Sequence, residues 1–206
     1  MRKGLGGSSF VKDMQYVLAS ASPRRKELLS EVIADFQIIP SCFDEGQIQG
    51  DLAPKKLVEK LAEGKAKDVA FRPENDGKIV LGSDTVVALG KEILGKPKDE
   101  ENARDMLFAL SGKKHHVYTG VCLIRVKNGE IVWQKTAASK TAVYFEKLSN
   151  EFISAYVAGG SPMDKAGAYG IQDGGLVKKI KGSYSGVVGL PVELVKKMIR
   201  KAEKQG

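Results

Sequence analysis

The sequence predicts an α/β fold: a mixed sheet flanked by helices. Three observations carry this. Helical periodicity alternates with short apolar strands in the first half, the pattern of crossover connections. Two long β runs, His116–Val126 and Ile131–Phe145, flank Lys127-Asn128-Gly129-Glu130, which reads as a hairpin. Crossovers and hairpins in one chain imply parallel and antiparallel pairs in one sheet. A length of 206 residues fits one domain, or two small lobes sharing a cleft.

The elements follow in order. Tyr16–Ala19 is a short strand. Ser22 then suits an N-cap and Pro23 the first helical position, where a missing N–H costs nothing. Leu28, Leu29, Val32 and Ile33 mark one face of that helix, and Phe36–Pro40 returns as a strand. Residues 41–53 form a polar loop. Pro54 opens a second helix through about Val69. Ile79–Leu81 is an apolar strand that meets Gly82-Ser83-Asp84-Thr85 and continues as Val86–Leu89. Gly90-Lys91-Glu92 turns into Ile93-Leu94. Asp99 caps a third helix, with Ala103, Met106, Leu107 and Leu110 inward, and Ser149 caps a fourth. Residues 159–175 are glycine-rich and irregular, Val177–Ile180 is a last strand, and Leu190-Pro191 begins a C-terminal helix.

Composition narrows the function classes. Hydrophobic residues at 42% and charged residues at 28% exclude a wholly disordered chain. No apolar run reaches the roughly 18 residues of a membrane span, so no membrane partner is expected. The net charge of +8 is largely terminal: Lys196, Lys197, Arg200, Lys201 and Lys204 face only Glu203, and Arg2, Lys3 and Lys12 only Asp13. A nucleic-acid binder needs a basic stripe over its working surface, so no stable nucleic-acid partner is expected, although a basic C-terminal helix could touch one. Cys42 and Cys122 make neither a disulfide framework nor a zinc spacing and read as reduced, buried or half-buried thiols. Residues 1–14 read as a flexible leader before a single domain at 15–206. The leader has no apolar core of a secretory signal, which points to the cytoplasm.

Four segments could carry chemistry. Ser20-Ala-Ser-Pro-Arg24-Arg25 places two arginines in a first helical turn, where cations oppose the helix dipole. They are there either for solvent or for an anion, and phosphate is the anion a guanidinium fork matches best. Asp84 interrupts an apolar strand and so must be paired, metal-bound, protonated or satisfied by backbone N–H groups in a turn. Gly90–Pro97 imitates a phosphate loop, but Pro97 stands where a magnesium-binding hydroxyl belongs, so that reading is rejected. Lys96 stays a cation at a strand end. In Asp164–Gln172, small residues permit close backbone approach, and Gln172 offers a donor and an acceptor suited to a base edge. His115 and His116 lack partners at metal spacing and read as structural or solvated. Cations, isolated carboxylates and glycine-rich loops together suit a phosphorylated ligand with a divalent metal.

Taken in order, these segments resemble the Maf family of nucleoside triphosphate pyrophosphatases. The resemblance runs through Leu18-Ala-Ser-Ala-Ser-Pro-Arg-Arg-Lys-Glu-Leu-Leu29, Gly82-Ser-Asp-Thr-Val-Val87, Leu94-Gly-Lys-Pro97, Leu110-Ser-Gly-Lys113, Val117-Tyr-Thr-Gly-Val121, Asp164-Lys-Ala-Gly-Ala-Tyr-Gly-Ile-Gln172 and Gly189-Leu-Pro191. It implies an α/β fold like that of the inosine triphosphate pyrophosphatases, with two lobes around an active cleft. It also implies hydrolysis of the α–β phosphoanhydride, with Mg2+ or Mn2+ as cofactor. It casts Asp84 as the proton acceptor or a metal ligand and Glu45 as the second acid near the metal. Ser20, Arg24 and Arg25 become triphosphate contacts, with Lys65 and Lys96 the remaining cations. Arg24, Thr85 and Gln172 are similar to the specificity positions of the branch acting on dTTP and UTP. The family also suggests a homodimer. The competing expectation is a nucleotide-binding regulator of septum formation without turnover, which would not need Asp84 and Glu45.

Overall fold

The computed structural model describes residues 14–204; the expected leader, apart from Met14, lies outside them. Among the described residues, six α-helices and seven strands follow one another, with short 3-10 turns between some of them: β1 (Tyr16–Leu18), α1 (Pro23–Ser30), β2 (Gln37–Ile38), α2 (Pro54–Ala70), β3 (Ile79–Leu89), β4 (Glu92–Leu94), α3 (Glu100–Leu110), β5 (Lys114–Lys127), β6 (Glu130–Phe145), α4 (Asn150–Ala158), β7 (Val177–Lys181), α5 (Tyr184–Val188) and α6 (Val192–Glu203). The seven strands form one sheet in the order β2-β1-β3-β5-β6-β7, with β4 also on β3. β1 pairs in parallel with β2 and β3, whereas the remaining pairs are antiparallel, so the sheet is mixed as expected.

Local chemistry explains most boundaries. The side chains of Ser22, Asp99 and Ser149 each accept a backbone N–H of the first turn they cap. Asn128 and Gly129 both take positive φ, 53° and 78°, which is what a tight hairpin between twisted strands requires. α1 is shorter than its apolar periodicity suggests. It stops at Ser30, and the N–H groups of Val32 and Ile33 both turn back to the Leu29 carbonyl. Ile33 is buried all the same. β2 keeps only two exposed residues, an edge strand cut short before Pro40. The glycine-rich segment folds as three 3-10 turns. α5 was not expected, because Tyr-Ser-Gly-Val-Val has little helix propensity; the Ser183 side chain caps it.

Three apolar clusters build the two lobes. α6 brings Val195, Met198 and Ile199 against Leu18, Ile79, Leu81 and Leu123 on one sheet face. α2 brings Ala62, Ala66 and Val69 against Val17, Val80, Cys122 and Ile124 on the other. α3 and α4 supply Leu107, Leu110, Ile153 and Val157 to the far ends of β3, β5 and β6. β3 runs through both lobes. Met14 packs on the α6 cluster. Cys122 is buried, but Cys42 is exposed, correcting the reading of both thiols as shielded. His115 is fully buried with Phe145 and Tyr169, a structural histidine.

Two glycines bring α2 to the sheet. Gly82 of β3 and Gly120 of β5 leave no side chain beneath the helix: a Cβ on Gly82 would lie 2.3 Å from the Ala62 carbonyl oxygen, and one on Gly120 2.1 Å from that of Val58. Neither distance is tolerable, so α2 lies on bare backbone there. Gly120 is the register partner of Asp84.

Candidate active site

A cleft of about 500 Å3 opens between the lobes. Its place follows from the strand pairing. One edge of β3 meets β1 as far as Leu81 and β4 from Val87 onward. The five residues between, Gly82–Val86, have no strand on that edge among the described residues, and Asp84 and Thr85 line the opening.

Asp84 sits in mid-strand and is 8% exposed. Successive strand residues face opposite ways, so Asp84 shares the α2 face with Gly82. The close approach of α2 sets Lys65 over it, and the Lys65 ammonium donates to Asp84 Oδ1 at 2.6 Å. The same ammonium pairs with Glu45 Oε1 at 2.7 Å. Asp84 is thus paired across the fold, which replaces the alternative of a turn carboxylate held by its own backbone. Burial pushes its carboxyl above the ordinary range, opposed by Lys65 and Arg25 and reinforced by Glu45.

Thr85 faces the other way, toward α1. Arg25 is held by three acceptors: Nε donates to the Gly189 carbonyl at 3.0 Å, Nη1 to Ser20 Oγ at 3.3 Å and Nη2 to Thr85 Oγ1 at 3.5 Å. Burial lowers its pKa, and the Asp84 charge works against that shift. Thr119 spends its single hydroxyl proton on the Gly186 carbonyl at 2.7 Å. Thr119 Oγ1, 3.0 Å from Thr85 Oγ1, therefore accepts the Thr85 proton. Arg24 reaches across the cleft to Asp164, with Nη1 to Oδ2 at 2.7 Å. Lys165 also donates to Asp164, at 2.9 Å. Burial raises the Asp164 carboxyl, but these hydrogen bonds outweigh it and hold the carboxyl low.

Two arginines, three lysines and three acids line the cleft at this gap in the strand pairing. A family model described as Maf-like protein matches residues 15–202. The chain belongs to this family. Curated Maf relatives named "dTTP/UTP pyrophosphatase" agree. That of Clostridium botulinum (strain Kyoto / Type A2) is 47% identical over 186 residues, covering 89% of this chain and 94% of the relative. That of Clostridium novyi (strain NT) is 46% identical over 187 residues, covering 90% and 96%. Among solved structures, a HAM1 protein from Coxiella burnetii aligns with a TM-score of 0.49 at 15% identity, over 91% of this chain and 99% of that one.

Of the residues expected in the Maf site, Arg24, Arg25, Glu45, Lys65, Asp84, Thr85, Lys96 and Gln172 all line the cleft. Lys96 and Gln172 are exposed on its rim. Ser20 is the exception: it is 8% exposed, lies behind the lining, and accepts from Ser22 N and Arg25. The Gly90–Pro97 segment holds the Gly90-Lys91 turn, the strand β4 and the three residues after it, not a loop opening a helix, in keeping with the rejection of a phosphate loop. Asp164 and Lys165 were not singled out as site residues, although they begin a segment whose last residue was. Their charge in a small-residue loop was the available signal. Among the described residues no group of three or more His, Cys, Asp and Glu side chains gathers as a metal cage, and no helix is long and apolar enough to cross a membrane. The basic side chains of α6 are exposed, and the cleft lining includes none of them.

Proposed function

We propose that this Maf-like chain hydrolyses dTTP and UTP between the α and β phosphates, releasing the nucleoside monophosphate and pyrophosphate. The observation that carries this is the Glu45–Lys65–Asp84 group in a cleft also lined by Arg24, Arg25, Lys96 and Lys165. The curated relatives named for that activity support the substrate class.

Asp84 accepts the proton of the attacking water; a carboxylate raised by burial is the stronger base for that task. Lys65 opposes the upward shift of the Asp84 carboxyl and orients Asp84 and Glu45 toward each other. Arg25, fixed beforehand by its three acceptors, meets the phosphate chain without first having to be ordered. Arg24, Lys96 and Lys165 balance the remaining phosphate charge, each charge-assisted hydrogen bond contributing ~1.5–3 kcal/mol. Ser20 acts through Arg25. Gln172, on the rim, pairs with the N–H and carbonyl edge of thymine or uracil.

Asp84 and Glu45 fit a Mg2+ or Mn2+ ion. Lys65 holds one oxygen of each, Asp84 Oδ1 and Glu45 Oε1, so the second carboxylate oxygens are the donors such an ion would use; it commonly takes one or two protein carboxylates and completes its shell with water and phosphate oxygens. When bound, the ion would neutralise charge on the phosphate oxygens. The reading goes with a cytoplasmic residence, among free nucleotides.

The test is pyrophosphate release from dTTP, UTP, CTP, 5-methyl-UTP and 7-methyl-GTP with magnesium or manganese. Release from dTTP and UTP, abolished in a folded Asp84→Asn variant and by chelation, is expected. Preference for 7-methyl-GTP would overturn the pyrimidine reading. No release by folded protein with either metal would leave a nucleotide-binding regulator instead.

A further inference from the structure

The loop bearing Glu45 is seated on α2 by an aromatic ring lying over a glycine. Gly64 stands in the interior of α2, where glycine is unfavourable relative to alanine, so its presence calls for a packing reason. The half-buried Phe43 ring supplies one. A Cβ on Gly64 would lie 2.5 Å from Phe43 Cζ and 2.6 and 2.7 Å from the two Cε atoms, so the ring occupies the space a side chain would take. One turn on, on the same helix face, Asp68 Oδ2 accepts from Cys42 N at 2.8 Å and Ser41 Oγ at 2.9 Å, and Arg72 holds that oxygen at 2.9 Å. Beyond Phe43, Asp44 Oδ1 accepts from Gly46 N at 2.9 Å and closes the 3-10 turn Glu45–Gln47. Glu45 then meets Lys65, the residue after Gly64, at 2.7 Å.

We propose that Gly64 and Phe43 are positioning residues: the ring's seat on the bare helix sets Glu45 against Lys65. The proposal rests on the reading of Glu45, Lys65 and Asp84 as the working group of a pyrophosphatase. Asp68 tethers the start of the loop and Glu45 itself is exposed, so the ring's seat lies between that tether and the ion pair at Lys65.

The experiment is a mutant cycle of Gly64→Ala with Glu45→Gln, reading kcat for dTTP and the melting temperature. Gly64→Ala is expected to lower kcat at least tenfold. Its melting temperature should stay near or above wild type, because alanine is the stronger helix former. In the Glu45→Gln background the same change should cost nothing further, since the residue it positions is already lost. Phe43→Leu, which leaves α2 untouched, is carried through the same cycle with the same expectation. Wild-type kcat in both Gly64→Ala and Phe43→Leu overturns the proposal. Losses that multiply with Glu45→Gln assign the ring to bulk packing and also overturn it. An inactive wild type would instead overturn the pyrophosphatase reading, and this inference with it.

Discussion

Gly82→Ala tests whether the sheet's bare backbone is what brings Lys65 to Asp84. A Cβ at position 82 would lie 2.3 Å from the Ala62 carbonyl oxygen and 2.7 Å from Ala66 N, both backbone atoms of α2 that no rotamer change can move. Ordinary contact begins at 3.4 Å, so the helix must withdraw by about 1 Å. Lys65 lies between those two residues, and its 2.6 Å hydrogen bond to Asp84 opens with the helix. A misplacement of about 1 Å at a reacting centre costs about 100-fold in rate. Forcing one methyl into a filled contact costs ~1–3 kcal/mol of stability. In a chain of this size each kcal/mol lowers the melting temperature by roughly 2–4 °C. Steady-state pyrophosphate release from dTTP and a thermal melt read both effects. A variant with wild-type kcat and an unchanged melt would refute the argument that the glycine sets the approach of α2.

Three further outcomes are expected. Burial, with a smaller contribution from His116, pushes the His115 imidazole down to about 4 from its usual 6.5, so the native state holds it neutral while the unfolded chain protonates it. Stability is therefore full above pH 6.5 and drains as pH falls toward 4. Over that window His115 accounts for about 3 kcal/mol, and denaturant titrations at pH 7 and 4.5 should show wild type losing about 2.5 kcal/mol more than His115→Gln; equal losses would contradict this. Arg25→Lys keeps the charge but cannot span Gly189, Ser20 and Thr85, and a kcat/KM lower by roughly 10–100-fold, or ~1.4–2.8 kcal/mol, is expected from initial rates. Gln172→Leu should lower kcat/KM for dTTP and UTP more than for CTP; an unchanged ratio would remove Gln172 from base recognition.

Much of the fold was legible because its signals are local. Ser22, Asp99 and Ser149 cap the helices they were expected to cap, and Asn128-Gly129 makes its hairpin, since each depends on atoms within a few residues. α5 escaped because its stability comes from tertiary contact: Thr119 donates to the Gly186 carbonyl and Ser83 to that of Gly189, from strands more than sixty residues away. α1 kept its apolar face but lost its last turn for a similar reason, as Ile33 reaches the core from a turn.

The site divides along the same line. Residue type pointed to cations and isolated acids suited to a phosphorylated ligand, because arginines in a first helical turn and a carboxylate within an apolar strand are costly without a partner; it left solvent and a local turn open as alternatives, and Glu45 and Lys65 entered only through the Maf resemblance. Which partner each one has was decided in three dimensions. Lys65 meets Asp84 because Gly82 and Gly120 let a helix lie on the sheet, a close approach that glycine within a strand signals but does not aim. Ser20 serves Arg25 from behind the lining, and Asp164 answers Arg24 from 140 residues away. Chemistry belongs to single residues and can be read one at a time. Hydrogen bonds act over about 3 Å, and only the packed sheet and helices bring these groups that close.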